Sequence, residues 1–335
     1  MASFSQFGND LYTGKRSFDF VARRKIWFTV AALMVAAAII VPFLRGGFVF
    51  GIEFSGGSEF TVSNPAQKAD GTIDQGLATQ AVTGVVPGAV PKVSIVDSGN
   101  SVRIQTDLLD NTELDQVRDA LAKAYDVSTD EVTSSFIGAT WGADITRQAL
   151  TALIVFILLA AIVMALYFRT WKMSLAALIA LFHDLIITAG VYGILGFEVT
   201  PAAVIGFLTI LGYSLYDTVV VFDKIRENTA EGTSRTFGES VNLAVNQTLV
   251  RSINTSVVAL LPIGSILFIG AFVLGAGTLR DISLALFIGV LVGTYSTIFI
   301  AAPLYATFRQ NETIVRDSDK KKTKAAVRTT TGAVR

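Results

Sequence analysis

Six long apolar stretches divide the chain, and more polar segments separate them. Each stretch approaches the roughly 20 apolar residues that a helix needs to cross the hydrocarbon core of a bilayer. The pattern therefore predicts six transmembrane helices. They cover residues 26–44, 149–168, 173–195, 201–222, 252–274 and 283–307. The first stretch is longer than the apolar region of a typical signal peptide and has no cleavage site after it, so we expect a retained anchor.

The segment 45–148, between the first and second spans, is too polar to enter a membrane and has the pattern of a small folded domain. Four runs that alternate like strands and two segments with a helical period follow in the order β-α-β-β-α-β. These elements are predicted at 51–62, 73–85, 93–96, 102–106, 112–125 and 132–141. Ser98, Gly99 and Asn100 predict a hairpin turn between the second and third strands. The order of elements predicts a ferredoxin-like α+β domain.

Lysine and arginine in short loops predict which side of the membrane each loop faces, because basic loops stay in the cytoplasm. Basic residues crowd the N-terminal segment 1–25, the loop 223–250 and the tail 308–335, whereas the opposite short loops hold only Arg280. We therefore expect a polytopic α-helical protein of the cell inner (plasma) membrane. Both of its termini are expected in the cytoplasm, and its α+β domain is expected to be extracytoplasmic.

Two of the cytoplasmic segments have further patterns. The loop 223–250 is too polar to span, but its apolar residues predict a partly amphipathic helix at the membrane interface. The tail 308–335 is rich in Lys, Thr and Ala and has no core-forming pattern, so we expect it to be basic and disordered. Its charges suit contact with anionic membrane lipid, or they serve only as a topology signal.

Composition supports a membrane protein and excludes several kinds of chemistry. Hydrophobic residues make up 52% of the 335 residues and charged residues only 16%, whereas a soluble domain is about 25% charged. The chain has no cysteine, which excludes disulfides, thiol nucleophiles and iron–sulfur ligation. Because His183 is the single histidine, a multi-histidine metal site is impossible. We expect no metal, no cofactor and no nucleic-acid partner.

Asp217 lies inside the fourth apolar span. A carboxylate within hydrocarbon costs roughly 2.5–3.5 kcal/mol on insertion scales, so such a residue usually has a partner and a function. Tyr213 and Ser214 share its helix face one turn away, and Thr209 lies one turn further. This polar stripe predicts either a path for protons or hydrogen bonds that hold neighbouring helices together.

The fifth span opens with a second polar group, in which Arg251, Asn254 and Thr255 fall on one helix face. We predict that Arg251 interacts with Asp217. Its charge and the burial of the carboxylate then act in opposite directions on how readily Asp217 binds a proton. The alternative is an arginine that only extends to the polar interface and has no part in the site.

The third span carries His183 and Asp184 in its middle. Adjacent residues of a helix point about 100° apart, so one can face the bundle while the other faces a partner helix. Asp184 is either a second proton-carrying site or the hydrogen-bond partner of a polar residue on another span. In the sixth span, Gly289 and Gly293 have the spacing of close helix packing.

Motifs of membrane enzymes are incomplete in this sequence. Intramembrane aspartyl proteases need a Gly-x-Gly-Asp motif, but Phe182 and His183 precede Asp184. Rhomboid-type serine proteases need Gly-x-Ser-Gly, and the related segment 212–215 ends in leucine. The glycine-rich segment 51–57 lacks the Lys-Ser/Thr of a phosphate-binding loop. We therefore predict no enzyme activity.

Four segments together carry a family resemblance. They are 51–57 (GIEFSGG), 212–228 (GYSLYDTVVVFDKIREN), 246–256 (NQTLVRSINTS) and 288–304 (IGVLVGTYSTIFIAAPL). In content and order they resemble the signature blocks of the SecF branch of the SecD/SecF family. Members of this family are membrane subunits of bacterial protein export and relatives of the resistance–nodulation–division (RND) transporters. The resemblance extends over most of the chain.

The resemblance implies a function and partners. A SecD partner would complete a twelve-span unit that associates with the SecYEG translocon and YajC. The unit would use the proton-motive force to draw a translocating preprotein outward after the ATPase SecA has pushed it. In this family the aspartate of the second block and the arginine of the third are implicated in proton passage, and they match Asp217 and Arg251.

Three positions depart from the usual blocks of the family. Glu53 and Ser55 stand where Asp and Thr are common, and Tyr216 stands where Asn is usual. The first two changes are conservative, whereas Tyr216 changes what can hydrogen-bond beside Asp217. Two other functions stay open for this sequence: a proton-coupled small-solute efflux transporter of the RND superfamily, and a structural scaffold for the translocon.

Overall fold

The structure of the chain, a computed structural model, describes residues 4–67, 72–96, 100–230, 235–271 and 277–330. The helices are α1 (Phe4–Tyr12), α2 (Arg24–Leu44), α3 (Ile52–Ser55), α4 (Gln75–Val85), α5 (Asn111–Tyr125), α6 (Ala139–Phe168), α7 (Trp171–Leu195), α8 (Pro201–Ala230), α9 (Phe237–Ser265), α10 (Gly277–Ser296), α11 (Ala302–Gln310) and α12 (Thr313–Thr330). The strands are β1 (Val49–Phe50), β2 (Gly57–Ser63), β3 (Lys92–Val96), β4 (Ser101–Thr106), β5 (Val132–Ile137) and β6 (Glu198–Val199). The π-helical segments Ile266–Ala271 and Thr297–Ala301 follow α9 and α10.

Six helical segments within the described residues are long and apolar enough to cross a membrane, as the sequence pattern predicts. They are Arg24–Leu44, Thr140–Phe168, Trp171–Leu195, Pro201–Ala230, Phe237–Gly270 and Leu279–Gln310. Most of them are longer than the predicted spans. The apolar stretch defines only the part of each helix that can lie in the hydrocarbon core. The backbone hydrogen bonds of the helix continue beyond that part.

The predicted loop 223–250 is largely helical. α8 continues to Ala230, and α9 starts at Phe237 after a capping box between Thr236 and Glu239, each of which accepts a hydrogen bond from the backbone N–H of the other. A capping box favours the start of a helix, and this helix runs directly into the fifth span. The helix predicted within 223–250 is thus present as the first turns of α9, which are buried against other helices and continue into the fifth span without a break.

Helix α8 lies among α7, α9 and α10 and packs against all three. Its buried residues recur every three or four positions, which places them on one helix face. α10 approaches this face closely, since a Cβ at Gly289 would lie 2.9 Å from the Cβ of Ile210. In the most apolar part of each span, only 17% of the residues of α2, 6% of those of α6 and 11% of those of α9 are buried. These helices therefore leave wide apolar faces open to lipid or to another protein.

The α+β domain, residues 57–137, contains a four-stranded antiparallel sheet in the order β3-β4-β2-β5. Helices α4 and α5 cover one face of this sheet, and the core between them includes the fully buried side chains of Phe60 and Val117. This arrangement is the predicted ferredoxin-like fold. Ser98 and Gly99 of the predicted hairpin turn lie outside the described residues.

The first predicted strand, 51–62, differs from the structure. Residues Ile52–Ser55 form the single-turn α3, and β2 starts only at Gly57. Gly57 has a φ of +134°, which residues with a side chain rarely adopt, and a Cβ there would lie 2.6 Å from the Thr106 carbonyl oxygen. Glycine at this position therefore allows the chain to leave α3 and enter the sheet beside β4.

The tail, predicted to be disordered, forms α12 (Thr313–Thr330) in its described part. Asp319 accepts a hydrogen bond of 2.8 Å from the Phe237 N–H, and Lys322 donates one of 2.8 Å to the Arg235 carbonyl oxygen. These contacts tie α12 to the start of α9. Composition alone predicts disorder because it does not reveal contacts with a distant part of the chain.

Candidate functional site

Asp217 lies on the buried face of α8 and is only 6% exposed. Its Oδ1 accepts a hydrogen bond of 2.9 Å from the Ser252 hydroxyl of α9. Its Oδ2 is inaccessible to solvent and has no hydrogen-bond partner among the described residues. A buried carboxylate oxygen without a partner carries a desolvation cost, which a proton on the carboxylate reduces.

Arg251, predicted to interact with Asp217, is exposed, and no ion pair joins the two side chains in the structure as described. Successive residues of α9 point about 100° apart, so Ser252 is buried against Asp217 while Arg251 lies at the exposed edge of the contact between α8 and α9. Arg251 lines a cleft of about 450 Å³, together with Tyr12 and Glu227. Any effect of its charge on Asp217 therefore acts through space and not through a direct contact.

Asp184 is the centre of a second buried cluster. Its Oδ2 accepts hydrogen bonds from the Ser214 hydroxyl of α8 at 2.5 Å and the Ser296 hydroxyl of α10 at 2.8 Å. Its Oδ1 lies 3.2 Å from Nδ1 of His183, whose Nε2 is buried without a partner among the described residues. The bonds fit the interhelical alternative for Asp184, and the unpartnered Nε2 is compatible with the proton-carrying alternative.

The two clusters meet on α8. Ser214, which donates to Asp184, lies one turn from Asp217 on the same helix. Thr218 follows Asp217, and its hydroxyl lies 2.9 Å from the hydroxyl of Thr297 in the second π-helical segment. Segments of π-helix within longer helices occur frequently at functional sites. A band of carboxylates and hydroxyls therefore connects α7, α8, α9, α10 and the π-helical segment after α10.

The other predicted residues lie outside this band. The Tyr213 hydroxyl is buried but has no partner in the described part of the chain. Thr209 is exposed and donates to the backbone of its own helix, as the partly exposed Thr255 does on α9. Asn254 is exposed. Tyr216 is 58% exposed, so it points away from the buried site and does not line it.

Three hydroxyl residues of the site were not predicted from the sequence, namely Ser252, Ser296 and Thr297. The sequence offered one signal for Ser252. It lies four residues before Ser256, so the two serines share a face of α9 that differs from the face of Asn254. Both serines are buried. Ser296 and Thr297 are hydroxyl residues in an apolar span, and only the packing of α10 against α7 and α8 places them at the site.

The chemistry of the site is that of proton donors and acceptors. Carboxylates, hydroxyls and one imidazole accept, donate or relay protons, depending on their protonation state. Within the described ranges, no group of three or more His, Cys, Asp or Glu side chains is arranged to hold a metal ion. The residues present can therefore accept, donate and relay protons.

Comparison with known proteins gives consistent matches over most of the chain. The family model "Protein export membrane protein SecD/SecF, C-terminal" matches residues 116–311. The protein translocase subunit SecF of Streptomyces coelicolor is 44% identical over 315 residues, which cover 93% of this chain and 82% of that protein. The SecF of Mycobacterium tuberculosis H37Rv is 42% identical over 328 residues, which cover 94% of this chain and 72% of that protein.

Solved structures agree with these relatives. The crystal structure of SecDF from Thermus thermophilus, described as a translocon-associated membrane protein, superposes with a TM-score of 0.76 at 30% identity and covers 88% of this chain. A SecDF structure in a super-membrane-facing form superposes with a TM-score of 0.61 at 29% identity. This chain spans 39% and 40% of the two SecDF chains. With its six apolar helices, the chain is a multi-pass membrane protein that belongs to the SecD/SecF family of protein export membrane proteins.

Proposed function

We propose that this chain is a SecF-type subunit of the Sec preprotein translocase. Together with a SecD partner it couples the proton-motive force to late steps of protein export across the inner (plasma) membrane. The support is similarity to SecF subunits over more than nine-tenths of the chain. The match to two-fifths of SecDF supports a SecD-like partner for the remaining part. SecYEG, YajC and the translocating preprotein are the further proposed partners.

The orientation proposed for the chain places both termini in the cytoplasm and the α+β domain outside. Its support is the excess of lysine and arginine in 1–25, 223–250 and 308–335. In this orientation the cleft beside Arg251 opens toward the cytoplasm, and the cluster around Asp184 lies nearer the outside than Asp217. An inward proton then passes from Asp184 to Asp217 and on to the Arg251 cleft.

The observation that carries the proposal is the buried, unpartnered Oδ2 of Asp217. In its charged form Asp217 is held by Ser252 and attracted by the more distant Arg251. Protonation removes that attraction and turns the carboxyl into a donor, so the packing of α8 against α9 changes. One charge that crosses 100 mV supplies about 2.3 kcal/mol, which is enough to shift a two-state equilibrium appreciably.

The first prediction concerns Asp217→Asn, which keeps the size of the side chain but removes its ability to ionise. We expect export that depends on the proton-motive force to be lost while assembly with SecD is retained. The measurement is release of a signal-peptide-bearing reporter, with and without a protonophore. Asp144→Asn is the control, because it removes the same charge from an exposed position on α6, away from the proposed proton path. We expect this control to export normally.

The same experiment distinguishes the other two functions. Normal export by Asp217→Asn would contradict proton coupling and favour a structural scaffold. Normal export combined with altered resistance to small solutes would favour an RND-type efflux transporter.

A further inference from the structure

One face of the sheet in the α+β domain carries charged and amide side chains. β2 and β4 pair in antiparallel register with Glu59 opposite Gln105 and Thr61 opposite Arg103. Because strand side chains alternate between faces, these residues lie opposite the apolar face that packs on α4 and α5. The polar face is therefore available for contact with another part of the chain.

That other part is the connection between α7 and α8. Glu198 in β6 accepts a hydrogen bond of 2.6 Å from Nε2 of Gln105 and one of 3.4 Å from Nη1 of Arg103. The side chains of Glu198 and Arg103 are only 14% and 24% exposed. Partly buried charges are screened less by salt than surface pairs, so the contact is more than an incidental surface pair.

The two donors also contact a carboxylate of their own domain. Gln105 Nε2 lies 3.0 Å from Oε2 of Glu59, and Arg103 Nε lies 3.6 Å from its Oε1. The same donor pair therefore bridges one carboxylate inside the domain and one on the membrane helices. Among the side-chain hydrogen bonds of the described residues, those to Glu198 join the sheet to the connection between α7 and α8, and we call Glu198, Arg103 and Gln105 the Glu198 clamp.

The clamp lies close to the start of the helix that carries the buried carboxylate. α8 begins at Pro201, three residues after Glu198. Thr200, between them, donates to Asp281 Oδ2 at 2.8 Å, and the backbone carbonyl of Asp281 accepts from the Tyr192 hydroxyl at 2.6 Å. These buried bonds hold the ends of α7, α8 and α10 together, so a displacement of α8 along its axis moves Glu198 with it.

We propose that Glu198 is a positioning residue: held by Arg103 and Gln105, it transmits displacement of α8 to the α+β domain. The proposal rests on the proposed function, in which protonation of Asp217 shifts α8. The hydrogen bonds from Glu198 to one face of the sheet link α8, which carries the buried carboxylate, to the α+β domain outside the membrane. A coupling element needs two discrete arrangements, and in this proposal the link is made in one of them and broken in the other.

The test compares Glu198→Ala with Glu59→Ala in the full chain with its SecD partner. Both variants remove a carboxylate that accepts from the same two donors, but only Glu198→Ala breaks the link between the domain and the helices. We expect Glu198→Ala to lower proton-motive-force-dependent export about fivefold or more, the lower end of typical coupling effects. Glu59→Ala is expected to stay within about twofold of the unmodified chain, and Glu198→Gln to fall between them.

A double-mutant cycle separates coupling from general damage. If Gln105 acts through Glu198, the double variant Gln105→Ala/Glu198→Ala exports no worse than Glu198→Ala alone. Hydrogen exchange in β6 provides a second measurement, and we expect faster exchange in Glu198→Ala than in Glu59→Ala. If Glu198→Ala does not accumulate in the membrane, Glu198→Gln, which keeps the side-chain volume, takes its place in the cycle.

Three results would overturn the clamp: normal export by Glu198→Ala, an equal loss in Glu59→Ala, or additive losses in the double variant. The Asp217→Asn variant distinguishes failure of the Glu198 clamp from failure of the proposed function. Loss of export in Asp217→Asn with normal export in Glu198→Ala refutes the clamp alone. Normal export in Asp217→Asn refutes the proton coupling on which the clamp depends.

Discussion

Asp184 and Asp217 are both buried carboxylates, but their oxygens are satisfied to different degrees. Asp184 accepts from two serine hydroxyls and approaches His183, whereas one oxygen of Asp217 has no partner among the described residues. An unsatisfied buried polar group in a native structure calls for an explanation, such as a bound water or a functional role. The difference favours Asp217 as the group whose protonation shifts the helices, whereas Asp184, on the proposed proton path, also joins α7, α8 and α10.

Glu53, one of the departures from the usual glycine block, has a pH-dependent effect on stability. Burial raises the pKa of its carboxyl above the ordinary value, and the carboxylates of Glu198 and Glu59 raise it further, although a backbone hydrogen bond and Arg103 oppose them. A carboxyl whose pKa is higher in the folded state lowers stability as the pH rises through that pKa. At acidic pH, where the group is protonated in both states, this penalty is absent.

We therefore expect Glu53→Gln to raise the midpoint of thermal unfolding at about pH 8 and to leave it nearly unchanged at about pH 4, near the ordinary pKa of Glu. The measurement is thermal unfolding of the protein in detergent over this pH range. Asp115→Asn, which removes an exposed carboxylate paired with Arg118 on α5, is the control and should show a much smaller pH-dependent difference. An equal gain at both pH values would contradict the electrostatic explanation.

At the scale of the elements, the close approach of α8 and α10 holds the band of polar side chains together. A Cβ at Gly289 would lie 2.9 Å from the Cβ of Ile210, and one at Gly293 would lie 3.2 Å from the Ser214 hydroxyl. The predicted role of these glycines in close packing agrees with these distances. If the helices separated, Ser214 and Ser296 would no longer both reach Asp184.

Gly289→Ala should therefore destabilise the bundle by about 1–3 kcal/mol, the usual cost of overpacking a well-packed site. Gly264→Ala on α9 is the matched control, because its Cβ would make only ordinary contacts, the nearest at 3.7 Å from Phe287. We expect the control to be neutral or slightly stabilising, since alanine favours a helix more than glycine. Thermal unfolding in detergent measures both, and equal midpoints would contradict the packing argument.

At the scale of the whole molecule, an exposed face of α8 suits contact with the proposed SecD partner. Ile205, Thr209, Gly212 and Tyr216 lie on it at helical spacing, and nothing lies within 4 Å of a Cβ at Gly212. Small and hydroxyl residues at such spacing allow close packing with another membrane helix. This face borders the buried site, so a helix from SecD placed here would also cover one side of it.

We expect Gly212→Leu to reduce co-purification with SecD severalfold, because the added side chain prevents the close approach of a second helix. Ala165→Leu on the exposed face of α6 is the control, since it adds the same bulk to another apolar span. We expect the control to co-purify with SecD as the unmodified chain does. Normal recovery of SecD with Gly212→Leu would show that the partner does not cover this face of α8.

The sequence by itself determined the six apolar spans, the ferredoxin-like order of the α+β domain and the place of Asp217 inside a span. Each of these features depends on the periodicity or composition of one segment and can be predicted without knowledge of its distant contacts. Local reasoning also predicted a helix within 223–250, but not that it packs against other helices and continues into the fifth span. It failed for α12, where contacts with distant residues accompany helix in a segment whose local pattern is polar.

Only the tertiary structure decided which side chains meet. The rotation of α9 about its axis brings Ser252, and not Arg251, to Asp217. The packing of α10 against α7 and α8 brings Ser296 to Asp184, 112 residues away along the chain. Helix periodicity defines faces, but it does not define which face of one helix meets which face of another. That choice depends on the fit of side chains across the whole bundle.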